Sequence, residues 1–286
     1  MRFVPFFVAL AFFLAACTSS ETGETTTTVA PSTTTTTEAG DTPACLSGEL
    51  PFVEEGTVAA LDSPGRDARA IAGIRWDPLE GCERVEIEFL STTGAPATRI
   101  GPVGVSMLAD AGIVRVTLSN DVVDSAVADS TLNGTLIDKW FVVEDSEDGL
   151  TVDLHLNERA AARAFTTTSP ARLVIDLRGT GDDRPREAPL TADGVVLLSP
   201  QAGVGLYPLQ VAGYAAPEVD AVRLRLTDSA EVNVDRAVST LSSTHVWRAF
   251  SAALSDGPSG SVLLLVGTVN DVGEPVFTIE VPLDLP

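Results

Sequence analysis

The sequence predicts an all-β fold built as two β-sandwich domains, and three observations carry that expectation. From Cys45 onward apolar residues recur mostly with period two, the period of a strand. The apolar runs are short and are separated by Gly, Pro and Asp, the residues of turns. No long stretch carries the spacing of an amphipathic helix. In Glu83–Leu90, Val85, Ile87 and Phe89 fall on one face, with Glu86 and Glu88 on the outward one. Ile113–Leu118 is a further strand. Lys139–Val143 and Leu150–Leu156 form a hairpin around the acidic turn Glu144–Gly149. Ala171–Leu177 closes a first sandwich over residues 45–178, in which a short helix fits at Leu108–Ala111 or Glu158–Ala164. Residues 179–193, with Gly179, Gly181, Asp182 and Asp183, have the composition of a linker. Residues 194–286 offer strands at Val195–Leu198, Pro208–Gly213, Val222–Leu226, Val262–Val266 and Val276–Val281. That is the size of an immunoglobulin-like sandwich, with Trp247 and Phe250 as its aromatic plug.

The 286 residues carry 18 basic and 40 acidic side chains, a formal charge of -22, and 44% are hydrophobic, enough for sizeable cores. Nucleic-acid affinity rests on Lys and Arg neutralising phosphate, so this balance argues against such a partner. It argues equally against adhesion to anionic lipid through a basic patch. The acids are expected on outward strand positions and in turns: Glu86 and Glu88, Glu144 to Asp148, Asp182 and Asp183.

Arg2 is the only charge before Glu21, and Phe3 to Ala16 are wholly apolar. That run is too short for a permanent membrane span. Residues 1–16 have the layout of an export signal. Their end, Leu14-Ala15-Ala16-Cys17, resembles the bacterial lipoprotein signal. The resemblance implies cleavage before Cys17 and lipid on its sulfur through palmitate-like acyl chains. The protein would then sit on the extracytoplasmic face of the cell membrane. Two or more chains anchor stably where one does not. The alternative is an ordinary signal whose Cys is incidental. Cleavage removes Arg2 and no acid, leaving a charge of -23. Residues 17–44 then hold the lipidated Cys17 and a tether with twelve Thr and no aromatic residue. Such a segment cannot bury enough apolar area to offset its ordering entropy. It would span about 30 Å as a coil and about 85 Å fully extended.

After Cys17 the remaining cysteines are Cys45 and Cys82. In an oxidising compartment two cysteines read as one disulfide. A metal pair or two free thiols are the rival readings, and neither finds His or acidic ligands at metal spacing nearby. His155 lies on the polar face of its strand and His245 precedes Trp247 in a turn, so both read as solvated surface imidazoles. Zinc needs three or four clustered ligands, and no paired-Cys or His-Glu-x-x-His motif is present. There is no Gly-x-Ser-x-Gly elbow, and Gly203-Val204-Gly205 lacks the third glycine of a dinucleotide loop and reads as a turn. The spacing in Glu144–Gly149 does not match a calcium loop. No catalytic residue, metal or cofactor is therefore expected.

Residues 45–178 resemble the AMIN-like domains of exported actinobacterial proteins. The residues that carry this are the strand after Cys82, Val114–Leu118, and Ser169-Pro170-Ala171-Arg172-Leu173-Val174-Ile175-Asp176-Leu177. Residues 194–286 resemble the immunoglobulin-like domain of bacterial spore germination, the Gmad family. They do so through Leu198-Ser199-Pro200, Tyr207–Gly213, Val222–Asp228 and Trp247-Arg248-Ala249-Phe250. These resemblances imply small non-catalytic sandwiches that bind peptidoglycan or envelope proteins. The expectation is a non-enzymatic, lipid-anchored surface lipoprotein. The alternatives are an accessory subunit of an envelope complex and, third, a cryptic hydrolase.

Overall fold

The computed structural model describes residues 43–62, 65–145, 149–181, 188–228, 232–240 and 245–286, all within the unit Asp41–Pro286. The signal at residues 1–16, Cys17 and the tether up to residue 42 lie outside the described residues. So do the tip of the acidic turn and Asp182 and Asp183. The described chain forms strands and no helix, in a sandwich-type all-β fold.

In chain order the strands are β1 (Gly56–Leu61), β2 (Ala68–Leu79), β3 (Cys82–Ser91), β4 (Val103–Leu108), β5 (Ile113–Leu118), β6 (Asp124–Ser125) and β7 (Asp129–Thr131). Then come β8 (Ile137–Asp145), β9 (Gly149–Leu156), β10 (Ala160–Thr167), β11 (Arg172–Gly179), β12 (Leu190–Ala192) and β13 (Val195–Ser199). The rest are β14 (Gly203–Val204), β15 (Leu209–Ala215), β16 (Ala221–Thr227), β17 (Val232–Ser239), β18 (Trp247–Leu254), β19 (Gly260–Val269) and β20 (Pro275–Leu285).

Period two sorts the first core as expected. Val85, Ile87 and Phe89 are buried, as are Val114 and Val116 of β5 and Val152 and Leu154 of β9. Each such side chain contributes about 1.5–3 kcal/mol by leaving water. This core lies between the sheet β10-β11-β3-β2-β6 and one half of a long sheet ordered β1-β4-β5-β9-β8-β18-β15-β13-β12. Both flanks are closed by segments that change sheets. Val53 exchanges backbone bonds with Ala162 of β10, the chain turns at Gly56 (φ +80°), and β1 joins β4. On the other flank β6 pairs with β2, and β7 then pairs with β8. The proposed helices are absent. Leu108 ends β4 ahead of a turn, and Ala160 to Ala164 lie in β10, paired residue by residue with β11. Their small side chains suit a strand pressed against the first core, and tertiary pairing outweighs alanine's helix preference.

The second core lies between the other half of the long sheet and the sheet β14-β20-β19-β16-β17. Leu224, Leu226, Leu264 and Val266 are fully buried in it. Gly203-Val204 is not a plain turn but β14, which pairs in parallel with Leu283 and Asp284 of β20. Glu86, expected outward, is nearly buried and ion-paired with Arg75 and Arg172, since strands on both sides bring arginines beside it.

At Gly267 a Cβ would run into the Val276 carbonyl oxygen and the Phe277 backbone at the register shift of the β19–β20 hairpin. Gly73 has open space in front of it. Gly267→Ala is expected to cost about 3 kcal/mol or more, lowering Tm by about 6 °C or more, while Gly73→Ala stays within about 0.5 kcal/mol. Thermal and urea denaturation of the two variants check this.

Candidate functional site

The long sheet passes from one core to the other through a narrow seam. β18 meets β8 in parallel over only two residue pairs, Trp247 with Val143 and Arg248 with Glu144. The rest of that edge of β8 is occupied by β7. The register puts Arg115, Asp129, Phe141, Val143, Asp153, Trp247 and Tyr214 on the same face of the sheet. Tyr214 lies on β15, three strands from β9, which is about 14 Å in a flat sheet. Yet its hydroxyl donates to the Asp153 carboxylate. The sheet therefore curves across the seam, with this face on the inside of the curve.

Asp153 is wholly buried. It accepts from Arg115 Nε at 2.9 Å and Nη2 at 2.7 Å, a two-pronged pair, as well as from Tyr214. Arg115 Nη2 also donates to the Tyr214 oxygen at 2.9 Å. Burial pushes the Asp153 carboxyl above the ordinary carboxylate range, and the Arg115 guanidinium pulls it part-way back. Around this bridge Phe141 stacks with Trp247 edge-on at 4.8 Å and with Tyr214 at 6.1 Å. Trp247 Nε1 donates to Asp129 at 2.6 Å, and Arg248 pairs with Glu144 at 3.2 Å. Buried indole and phenol groups need such polar partners. Beside the bridge, between the halves of the folded sheet, opens a cleft of about 250 Å³. Arg115 and Asp145 line it from one half of the sheet, and Leu198, Ala212, Tyr214 and Ser251 from the other.

His155 is not on the surface. It is 5% exposed, 4.9 Å from the Phe141 ring and 6.3 Å from Tyr214. The polar face of β9 is polar because it meets the seam, not because it meets water. His245 does face solvent, with its side chain 63% exposed, near Asp124 at 4.0 Å. Trp247 packs across the seam onto Phe141, and Phe250 plugs the second core opposite Gly213. Cys45 and Cys82 form a disulfide with Cα atoms 6.3 Å apart, closing a 37-residue separation. The chain-entropy model assigns such a loop about 4 kcal/mol. Among the described residues no group of three or more His, Cys, Asp or Glu could hold a metal ion. A second pocket of about 410 Å³ lies by Glu83. That carboxylate is taken up by Trp76 Nε1, Leu136 N–H and Ile137 N–H at 2.8, 2.7 and 3.2 Å, which fixes the loop before β8.

Arg115, Asp153 and Tyr214 were not marked out by the sequence. The one available signal was Asp153, an acid at the centre of the apolar run Leu150–Leu156. Compared with family models, with curated proteins and with solved structures, the chain has no significant match.

Arg115→Ala takes away the cation facing a wholly buried carboxylate and is expected to cost about 3–5 kcal/mol, measured by urea unfolding. Asp153→Asn is expected to cost less. The raised carboxyl means that the folded state holds its proton to higher pH than the unfolded chain does. The Asp153 contribution to stability therefore falls as pH rises from the ordinary Asp value through the raised one, and is level above it. The stability difference between wild type and Asp153→Asn, followed across that range, is expected to move against wild type.

Proposed function

We propose that this chain is a non-enzymatic surface lipoprotein, held to the cell membrane by lipid on Cys17, that binds peptidoglycan or another envelope component. The observation that supports the binding role is the cleft at the folded seam. It is small, its rim is polar, and its walls belong to strands pinned by a buried ion pair, so it is held in shape before any ligand arrives. The resemblances to AMIN-like and spore-germination-type domains point to the same class of function. The exported setting accords with a buried disulfide.

A second reading, an accessory subunit of an envelope complex, draws on Val204 and Leu206. They are 85% and 69% exposed, Val204 in β14, a sheet edge two residues long, and Leu206 just after it. In-cell crosslinking from position 206 would recover one stoichiometric partner if this reading holds.

Cys17→Ala is expected to move the protein from the membrane fraction to the soluble fraction; unchanged retention would rule out the lipid anchor. In co-sedimentation with purified peptidoglycan, Ser251→Trp, which fills the cleft mouth from an exposed position, is expected to weaken binding at least tenfold with Tm unchanged. Binding that survives this change places the ligand elsewhere.

A further inference from the structure

The described chain begins in a segment fastened to the body by covalent, ionic and ladder contacts at once. Leu46 and Ser47 N–H groups close a turn on the Pro43 carbonyl at 2.8 and 3.1 Å. Cys45 is fully buried and bonded to Cys82, the first residue of β3. Arg163 of β10, 4% exposed, donates to the carbonyls of Cys45 (3.1 Å) and Ser47. Arg84 donates to the Ala44 carbonyl at 3.2 Å. Both guanidiniums then share Asp176 of β11, which is wholly buried: Arg84 Nε reaches it at 2.7 Å and Arg163 Nη2 at 2.9 Å. Arg163 and Arg178 lie over the Phe52 ring at 4.9 and 4.7 Å. Val53 completes the attachment through its paired bonds with Ala162, at 2.8 and 2.9 Å.

This arrangement has a direction. A pull arriving from the N-terminal side meets Cys45 first and passes through the disulfide to Cys82. Residues 46–81, with β1 and β2, lie outside that path. β1 pairs with β4 at the end of the long sheet and would open one ladder bond after another. β3 is the middle strand of its sheet, bonded to β2 on one side and β11 on the other, so it yields only when both ladders break. The arginine pair adds resistance, because parting Asp176 from a partner strands a buried charge. Disulfide exchange needs a thiolate to reach a sulfur, and both cysteines are covered, at 0% and 3% exposure.

We propose that Pro43–Cys45, clamped by Arg84 and Arg163, is a tension anchor: it delivers a pull on the N-terminal side of the chain to β3 through the Cys45–Cys82 bond, and Arg163 shields that bond from thiols. The proposal rests on the membrane-anchor reading, since only an attached chain is pulled there. The experiment does not depend on lipid. The mature chain is held by a handle in place of the lipid at Cys17 and another after Pro286, and is stretched in single-molecule force spectroscopy with and without dithiothreitol. With the disulfide intact, the first rupture force is expected to be at least twofold higher than after reduction, and the fully stretched chain about 12 nm shorter. The length reports that the bond is present; the force decides. Equal first rupture forces in the two states, or an early low-force event in the oxidised chain, would overturn the anchor. In parallel, Arg163→Ala with the disulfide intact is expected to speed reduction of the native protein by dithiothreitol at least tenfold. An unchanged rate removes Arg163 from the shielding role. Failure of the membrane reading would appear as unchanged membrane retention of the Cys17→Ala variant, and leaves both of these readouts untouched.

Discussion

The carboxylate of Asp153 is the constraint around which the body is arranged. A charge with no access to water must be met by opposite charge and hydrogen-bond donors. Arg115 comes from the neighbouring strand and Tyr214 from the far side of the seam. Meeting both demands curves the long sheet across the seam. The fold in turn makes a dry space that Phe141, His155 and Trp247 fill, and leaves a cleft where the two halves of the sheet diverge. The same site thus ties the two halves of the long sheet together and shapes the cleft beside it. A bridge of this kind adds little net stability over an apolar replacement, but it specifies one arrangement strongly.

Local pattern carried the sequence a long way. Ile113–Leu118 is β5 with the expected ends, the hairpin of β8 and β9 stands where its acidic turn placed it, and Val85, Ile87 and Phe89 share the buried face. These features depend on neighbours in the chain. What stayed hidden depends on register between distant segments. Period two says that Asp153 and His155 share a face, but only the β5, β8 and β15 partners make that face interior. Glu86 likewise alternates as an outward residue should, until Arg75 and Arg172 close over it. The alanines of β10 favour a helix in isolation and a strand once β11 is beside them.

The N-terminal border and the seam answer different demands. The N-terminal border is fixed by the Cys45–Cys82 bond and by the arginines on Asp176. The seam is fixed by Asp153, far along the chain from that border. Both use one buried Asp held by guanidinium groups, and in each the acid joins segments remote in sequence: 92 residues from Arg84 to Asp176, and 61 from Asp153 to Tyr214. Among the described residues of a chain so rich in acids, the buried Asp153 and Asp176 serve as tie points.

Strand β8 gives this molecule an unusual boundary. Its Trp140 and Val142 belong to the first core, and its Phe141 and Val143 to the second. In return, Val246, which precedes β18, sits in the first core. Along the chain, β11 belongs to the first half and β12 to the second, but the packing crosses through the middle of a single strand. The partition of the polypeptide and the partition of the solid therefore do not coincide. Any duplication, exchange or excision of a half along the chain would carry one face of β8 away from the side chains that cover it.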